Sequence, residues 1–288
     1  MTDDTDRDPG GSGAGAAPNG WFEGDAAGGA DRIREGRADA PADWPALAVE
    51  SGFADDESDY YARLREATIG AAREAAAERE RADDQQLVHA VRAMDDLDQR
   101  ANELAERVAE WAGSRYPDAA TGVDYARELA GRDPDSTVDE RLVSLAQRVA
   151  GLADEADELR AFVERETPEV APNLAAMAGP VLAARLISLA GGLDALAKKP
   201  AGTVQVLGAE DSLFAHLRGH APSPKHGVIF THEYVRGTRP GKRGSAARAL
   251  AGKLTIAARV DRYSGERKPE LDAELDERIA QIRGGEAE

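Results

Sequence analysis

Two groups of side chains in this sequence could do chemistry, and both fall between residues 210 and 268. The first is cationic. Residues 225–268 hold eleven Lys/Arg, among them Lys225, Lys242, Arg243, Arg248, Lys253 and Arg259, against three Asp/Glu. That is a net of +8 in a chain of formal charge −18, so the remainder sums to −26. An acidic chain that keeps one concentrated basic stretch has the charge pattern of a polyanion binder, because phosphate neutralisation dominates nucleic-acid affinity. A solvated basic helix produces the same count. The second group is imidazole. Four of the five histidines are His216, His220, His226 and His232. His216 and His220 have the i, i+4 spacing of a helical metal pair, which Glu210 or Glu233 could complete into a hydrolytic site. Gly219 is expected to end the helix before His220, which takes the two rings off a common face.

Other chemistries lack their residues. There is no cysteine, hence no disulfide, thiol nucleophile or Cys-ligated zinc or iron–sulfur site. No P-loop, Rossmann fingerprint, Gly-x-Ser-x-Gly or nucleophile–base pair occurs, so catalysis by this chain is not expected. No apolar run approaches ~20 residues, and Met1–Asp8 is acidic and polar, unlike a signal peptide. The expectation is a soluble cytoplasmic protein with no membrane contact. Thirty of the 36 basic residues are arginine and the acids total 54, a balance that resembles the acidic proteomes of salt-loving archaea. High salt weakens phosphate contacts, so shape and base contacts would then carry more of any RNA affinity.

The elements that must position these groups read as helices. Aromatics are 5% and charged residues 31%, which suits an all-α fold: an antiparallel coiled-coil hairpin, then a helical domain, with a small N-terminal region. Residues 1–20 read as a disordered acidic, Gly-rich tail. Residues 21–62 read as a reduced docking region bearing Trp21, Phe22, Trp44, Phe53 and Tyr60. The hairpin is placed at 63–167, the binding domain at 168–283 and a short tail at 284–288. From Asp59 to Trp111 the pattern is helical. Leu87, Met94, Ala101 and Val108 recur every seven residues, with Leu97, Leu104 and Trp111 as a second row. Breakers fill the connection from Gly113 to Thr137. A second seam follows, with Leu142, Leu145, Val149, Leu152, Ala156, Leu159 and Val163 at alternating spacings of three and four. Two such stripes predict an antiparallel pair, and leftover apolar surface predicts a homodimer; a closed monomeric hairpin satisfies the same stripes.

Downstream, Asn173 is expected to cap a helix that Pro180 kinks and Gly191-Gly192 ends. Thr203–Leu207 is β-prone, and a helix is expected from Gly208 through Leu217. Gly244–Tyr263 is the last strong helix, with Arg248 and Arg259 within about 20° on one face.

Ala171-Pro-Asn-Leu, Leu182-Ala-Ala-Arg-Leu-Ile-Ser-Leu-Ala-Gly-Gly-Leu, Val206-Leu-Gly-Ala-Glu, Pro224-Lys-His-Gly-Val-Ile-Phe and Ala246-Ala-Arg-Ala-Leu-Ala-Gly-Lys-Leu-Thr-Ile-Ala-Ala-Arg-Val-Asp resemble the Nop domain. This is the RNA–protein-binding module of the archaeal scaffold in box C/D guide ribonucleoproteins, and of its eukaryotic snoRNP and spliceosomal relatives. Leu87-Val-His-Ala-Val-Arg-Ala-Met-Asp-Asp-Leu-Asp and Leu104-Ala-Glu-Arg-Val-Ala-Glu-Trp resemble that scaffold's coiled coil, so the resemblance covers residues 80–283.

The resemblance implies a non-catalytic assembly factor. Its Nop domain would bind a kink-turn of box C/D guide RNA already held by a small ribosomal-protein homologue. The coiled coil would form a homodimer, and the N-terminal region would hold the methyltransferase fibrillarin. S-adenosylmethionine would sit on fibrillarin, and this chain would carry no cofactor and no metal. The implied contact residues are Gly208, Ala209 and Glu210, whose helix start would aim N–H groups at a phosphate; Lys225 and His226, on a loop; and Arg243, Arg248 and Lys253, which would pair phosphates. Asp211 and Ala215 stand where family members commonly carry Lys and Arg. The N-terminal region is shorter than the family's, and the lysine-rich C-terminal tail is missing. Glu210 could instead cap its own helix, and Arg248 and Arg259 could pair with neighbouring acids. A coiled-coil interaction scaffold without RNA and a metal-dependent hydrolase are the rival readings.

Overall fold

The computed structural model describes residues 20–22, 29–35 and 42–284. The tails expected at 1–20 and 284–288 lie outside these residues, apart from Gly20 and Gly284. The described residues form helices and turns without a strand, in line with an all-α chain. They divide into two compact units, Met1–Glu80 and Arg81–Glu288.

In the first unit, α1 (Gly29–Glu35) and α2 (Trp44–Glu50) precede the long α3 (Glu57–Arg81). Asp43 starts α2 by accepting the Ala46 N–H at 3.3 Å, with Pro45 in the first turn, a favourable pairing of cap and pre-set φ. Phe22 and Tyr60 are buried with Ala48 and Ala54. Trp21 meets the Phe53 ring edge-on at 5.3 Å and donates from Nε1 to the Tyr60 hydroxyl at 3.3 Å. The scattered aromatics of the sequence therefore make one small core. Arg34 ties α1 to Glu78 of α3.

The second unit begins with α4 (Asp83–Gly113), α5 (Gly122–Ala130) and α6 (Thr137–Val170). The helix expected from Asp59 to Trp111 is interrupted at Ala82, which takes an extended conformation. Helices α4 and α6 run antiparallel: Arg160 bridges to Asp98 at 2.9 Å and Arg115 to Asp139 at 3.1 Å. Leu87, Met94, Val108, Leu142 and Val149 are buried. Leu97, Leu104, Leu145, Leu152 and Leu159 are half-buried at its margin. Trp111 departs from the expected row and is 37% exposed. The connection expected as a loop contains α5, whose Tyr125, Ala126 and Leu129 pack into α4 and α6. Gly122, Gly131 and Pro134 sit at its ends, where breakers belong.

The rest of the unit comprises α7 (Pro172–Ala178), α8 (Pro180–Ala190), α9 (Leu193–Lys198), α10 (Ala201–Val206), α11 (Glu210–Leu217), α12 (Glu233–Arg236), α13 (Arg243–Tyr263) and α14 (Glu270–Gly284). The central rod is α13, against which α7, α9, α10, α12 and α14 pack. Its buried Ala246, Ala247, Leu250, Ala251, Leu254, Ala257 and Ala258 alternate small and large residues, which lets so many helices approach one axis.

Three local expectations change. At Pro180 the chain breaks rather than kinks: α7 and α8 meet at 118° through Gly179, whose φ is +79°. No single described helix is long and apolar enough to cross a membrane. The β-prone Thr203–Leu207 run lies mostly in α10, because burial of Val204 against α13 outweighs strand propensity. Asn173 is buried inside α7 rather than capping it. The capping acceptor is Asp261 of α13, which takes the N–H groups of Asn173 and Leu174 at 3.0 and 2.9 Å.

Candidate nucleic-acid interface

Seven of the eleven basic residues of 225–268 lie in the N-terminal half of α13 or in the segment 218–242 that wraps it. This segment is held on α10 by backbone contacts that only glycine allows. The Gly227 N–H donates to the Gln205 carbonyl at 2.9 Å and the Val228 N–H to the Leu207 carbonyl at 2.7 Å. A Cβ on Gly227 would stand 1.9 Å from the Leu207 carbonyl oxygen. Gln205 also donates from Nε2 to the Lys225 carbonyl at 2.7 Å. Lys225 is therefore fixed by its backbone while its side chain stays exposed.

Facing it across a depression of about 530 Å³ is Arg248, one turn into α13. Gly202, Gly241 and Gly244 keep the depression open, and Ser223 and Ser245 add hydroxyls. Among the described residues no carboxylate lines it, in a chain with 54 of them. The first turn of α13 has no side-chain cap and no acid, so the helix dipole adds positive potential to the two cations. A lysine point charge, an arginine fork and two hydroxyls are the donor set for a phosphate or a ribose edge.

The other expected contact residues have different employment. Arg243 is half-buried, donating to the Thr238 carbonyl at 3.0 Å with its guanidinium 5.5 Å from the Phe230 ring centroid. His226 stacks on that same ring at 4.6 Å. Arg243 and His226 thus fasten the wrapping segment. Lys253 is ion-paired to Glu274 of α14. Arg259 lies about three turns beyond Arg248 along α13, donating to the Ala197 carbonyl at 3.1 Å.

The phosphate cradle expected at Gly208 and Ala209 is closed. The Gly208 N–H donates to the Glu210 carboxylate at 2.9 Å and the Ala209 N–H to the Val206 carbonyl at 3.0 Å. Glu210 therefore serves its own turn, and with Asp211 it places two acids at the start of α11. His216 bonds the Ala221 carbonyl at 3.0 Å, and His220 follows Gly219, whose φ is +76°, beyond the helix end. Among the described residues no three His, Asp or Glu side chains gather as metal ligands would. Half-buried His232 accepts the Tyr234 N–H at Nδ1 (3.1 Å) and meets the Met177 carbonyl with Nε2 (3.1 Å), and partial burial holds its imidazole below the ordinary range.

The family model Nop, "snoRNA binding domain, fibrillarin", matches residues 124–282. The chain belongs to the Nop family. A NOP5 family protein of Methanocaldococcus jannaschii is 36% identical over 69% of this chain and 57% of its own length. Nucleolar protein 56 of Saccharomyces cerevisiae is 33% identical over 64% of this chain and 45% of its own. Nucleolar protein 58 of Aspergillus fumigatus is 33% identical over 62% and 36%. The chain thus spans about half the length of these relatives. One chain of the crystal structure of a fibrillarin/Nop5p complex matches the fold with a TM-score of 0.51 and 24% identity, covering 92% of this chain and 99% of that one. The Nop match contains the whole Lys225–Arg248 depression. Its small floor residues, Gly241, Gly244 and Ser245, escaped the charge count because they carry no charge; the signal for them was the Gly-Lys-Arg-Gly-Ser run opening α13.

Proposed function

We propose that this Nop-family chain is a non-catalytic scaffold of a box C/D guide ribonucleoprotein. It binds a kink-turn of the guide RNA together with the kink-turn-binding ribosomal-protein homologue. It self-associates through the α4–α6 pair and recruits fibrillarin, whose S-adenosylmethionine supplies the methyl group for guided ribose 2′-O-methylation. The observation that carries this reading is the depression between Lys225 and Arg248, lined by no carboxylate among the described residues, inside the matched Nop segment. Recruitment of fibrillarin falls to the N-terminal unit, whose helical aromatic core takes the place of a β-rich docking body.

The test is a gel shift with a box C/D kink-turn RNA, with and without the kink-turn-binding protein, in multimolar KCl. A supershift that needs the second protein and is lost in Arg248→Glu supports composite recognition. Arg248 is the residue to change, because Arg243 also holds the fold. A chain that shifts no RNA at any salt concentration, with or without that protein, leaves a helical protein-interaction scaffold as the better description.

A further inference from the structure

A second depression lies on the other side of Arg248. It has a volume of about 450 Å³ along α13, with Arg248 and Ser245 at its near end, Gly252 in its floor, and Lys253, Ile256 and Arg278 around it. Arg278 comes from α14, outside the basic segment, after acids that mask it in any charge count: Glu270, Asp272, Glu274, Asp276 and Glu277 precede it in the same helix. Its guanidinium is exposed and, among the described residues, donates only within its own helix, to Gln281 at 3.1 Å. Among the described residues no carboxylate lines this depression either. Glu274, one turn before Arg278, instead reaches out to the Lys253 ammonium; the carboxylate side chain is 58% exposed and the lysine 22%.

From this geometry we infer that the α13–α14 groove is a second phosphate-binding stretch of the nucleic-acid face. An RNA strand seated at Lys225 and Arg248 continues along α13 to Arg278, and Glu274 is the internal counter-ion that the strand displaces from Lys253. The inference rests on the RNA-binding reading above and adds α14 to it. Three observations support it. Arg248 and Ser245 line both depressions, so the two form one continuous path. Three cations flank the second depression in a chain of net charge −18, which is charge complementarity for a polyanion. Gly252 lets a backbone lie close to α13, while the exposed Ile256 offers an apolar edge to a ribose or base. Displacing Glu274 costs little, because a partly exposed ion pair resists competition by no more than about two- to fivefold in affinity. The pair keeps Lys253 extended over the groove when no strand is present. It also makes loose, non-specific binding weaker than the cation count suggests.

The test uses the full chain with a kink-turn RNA and its kink-turn-binding protein, measuring Kd across a KCl series. Arg278→Gln should weaken binding about threefold and flatten the slope of log K against log salt by about 0.7–0.9, one phosphate contact. Glu274→Gln should tighten binding about two- to fivefold, and the gain should vanish when combined with Lys253→Gln. Both positions are on the surface, and unchanged melting curves would show that the variants fold. If Arg278→Gln and Glu274→Gln bind like the parent while Arg248→Gln is weakened, the groove is not part of the face. If only Glu274→Gln is silent, its role as counter-ion is overturned. A parent chain that binds no RNA sinks this inference together with the reading beneath it.

Discussion

Asp261 Oδ1 accepts both the backbone N–H of Asn173 at 3.0 Å and its side-chain amide at 2.6 Å. The same Asn173 amide donates to the Glu266 carbonyl at 2.8 Å, while its Oδ1 accepts the Lys268 N–H at 2.7 Å. One buried pair therefore anchors α7, the end of α13 and the turn into α14 to one another. Asp261→Ala strands the N–H groups of Asn173 and Leu174 in a buried site. We expect a loss of about 2–3 kcal/mol, since hydrogen bonds to charged groups carry about 1.5–3 kcal/mol and orphaned donors add to the cost. Urea unfolding followed by circular dichroism measures it, and a loss below about 0.5 kcal/mol would mean that water replaces the carboxylate.

Arg243 and Arg248 are five residues apart and are expected to behave oppositely. Arg243→Lys keeps the charge but cannot reproduce the planar fork over Phe230 and the Thr238 carbonyl, so stability should drop by about 1 kcal/mol. Amide exchange in residues 226–243 should rise with it. Arg248→Gln should leave the melting temperature unchanged and weaken RNA binding. Equal melting temperatures for Arg243→Lys and the parent would show that the wrapping segment does not depend on that guanidinium.

How much of this was legible follows physical lines. The α4–α6 seam could be read because Leu87, Met94, Val108, Leu142 and Val149 repeat at the spacing a buried stripe requires, and the stripe is buried where the repeat says. Trp111 fits the same repeat yet is 37% exposed in the last turn of α4, while its neighbour Ala112 takes the buried position. The strand expected at Thr203–Leu207 failed because β-branched residues pack equally well on one helix face when a rod such as α13 offers the surface. At the candidate site, charge located Lys225 and Arg248. It left open whether Glu210 serves its own turn, and it could not reveal that Arg243 faces inward or that Arg278 of α14 lines the neighbouring depression. Those facts depend on which side of a helix meets a neighbour.

His232 gives the chain a pH dependence with a definite sign. Its Nδ1 accepts the Tyr234 N–H and so starts α12. Burial lowers the imidazole below its ordinary value of 6.5, Arg283 adds to this, and the Met177 carbonyl and Glu233 oppose it. The unfolded chain then takes up the proton first. The contribution is complete above about pH 6.5 and is lost as pH falls through the folded value. Melting temperature should decline on acidification from pH 7.5 to 5, and His232→Asn, which can cap but not titrate, should flatten that part of the curve. An unchanged slope in His232→Asn would assign the acid sensitivity to other groups.

Gly227 and Gly244 test whether the shape of the segment, and not only its charge, makes the site. A methyl on Gly227 would lie 1.9 Å from the Leu207 carbonyl oxygen, a backbone atom that cannot swing away. Gly227→Ala must therefore lift the segment from α10, at about 1–3 kcal/mol by analogy with overpacking. Lys225, held through Gln205, moves with it, so RNA binding should weaken although no charge has changed. At Gly244 the added methyl meets Lys225 Cδ at 3.9 Å, an ordinary contact. In the first turn of α13 the exchange removes a glycine from a helix, so Gly244→Ala should gain up to about 1 kcal/mol. Opposite signs in thermal melts, with RNA affinity reduced in Gly227→Ala, are the expected outcome. If Gly227→Ala keeps full stability and affinity, the Gln205–Lys225 anchorage does not position the cation.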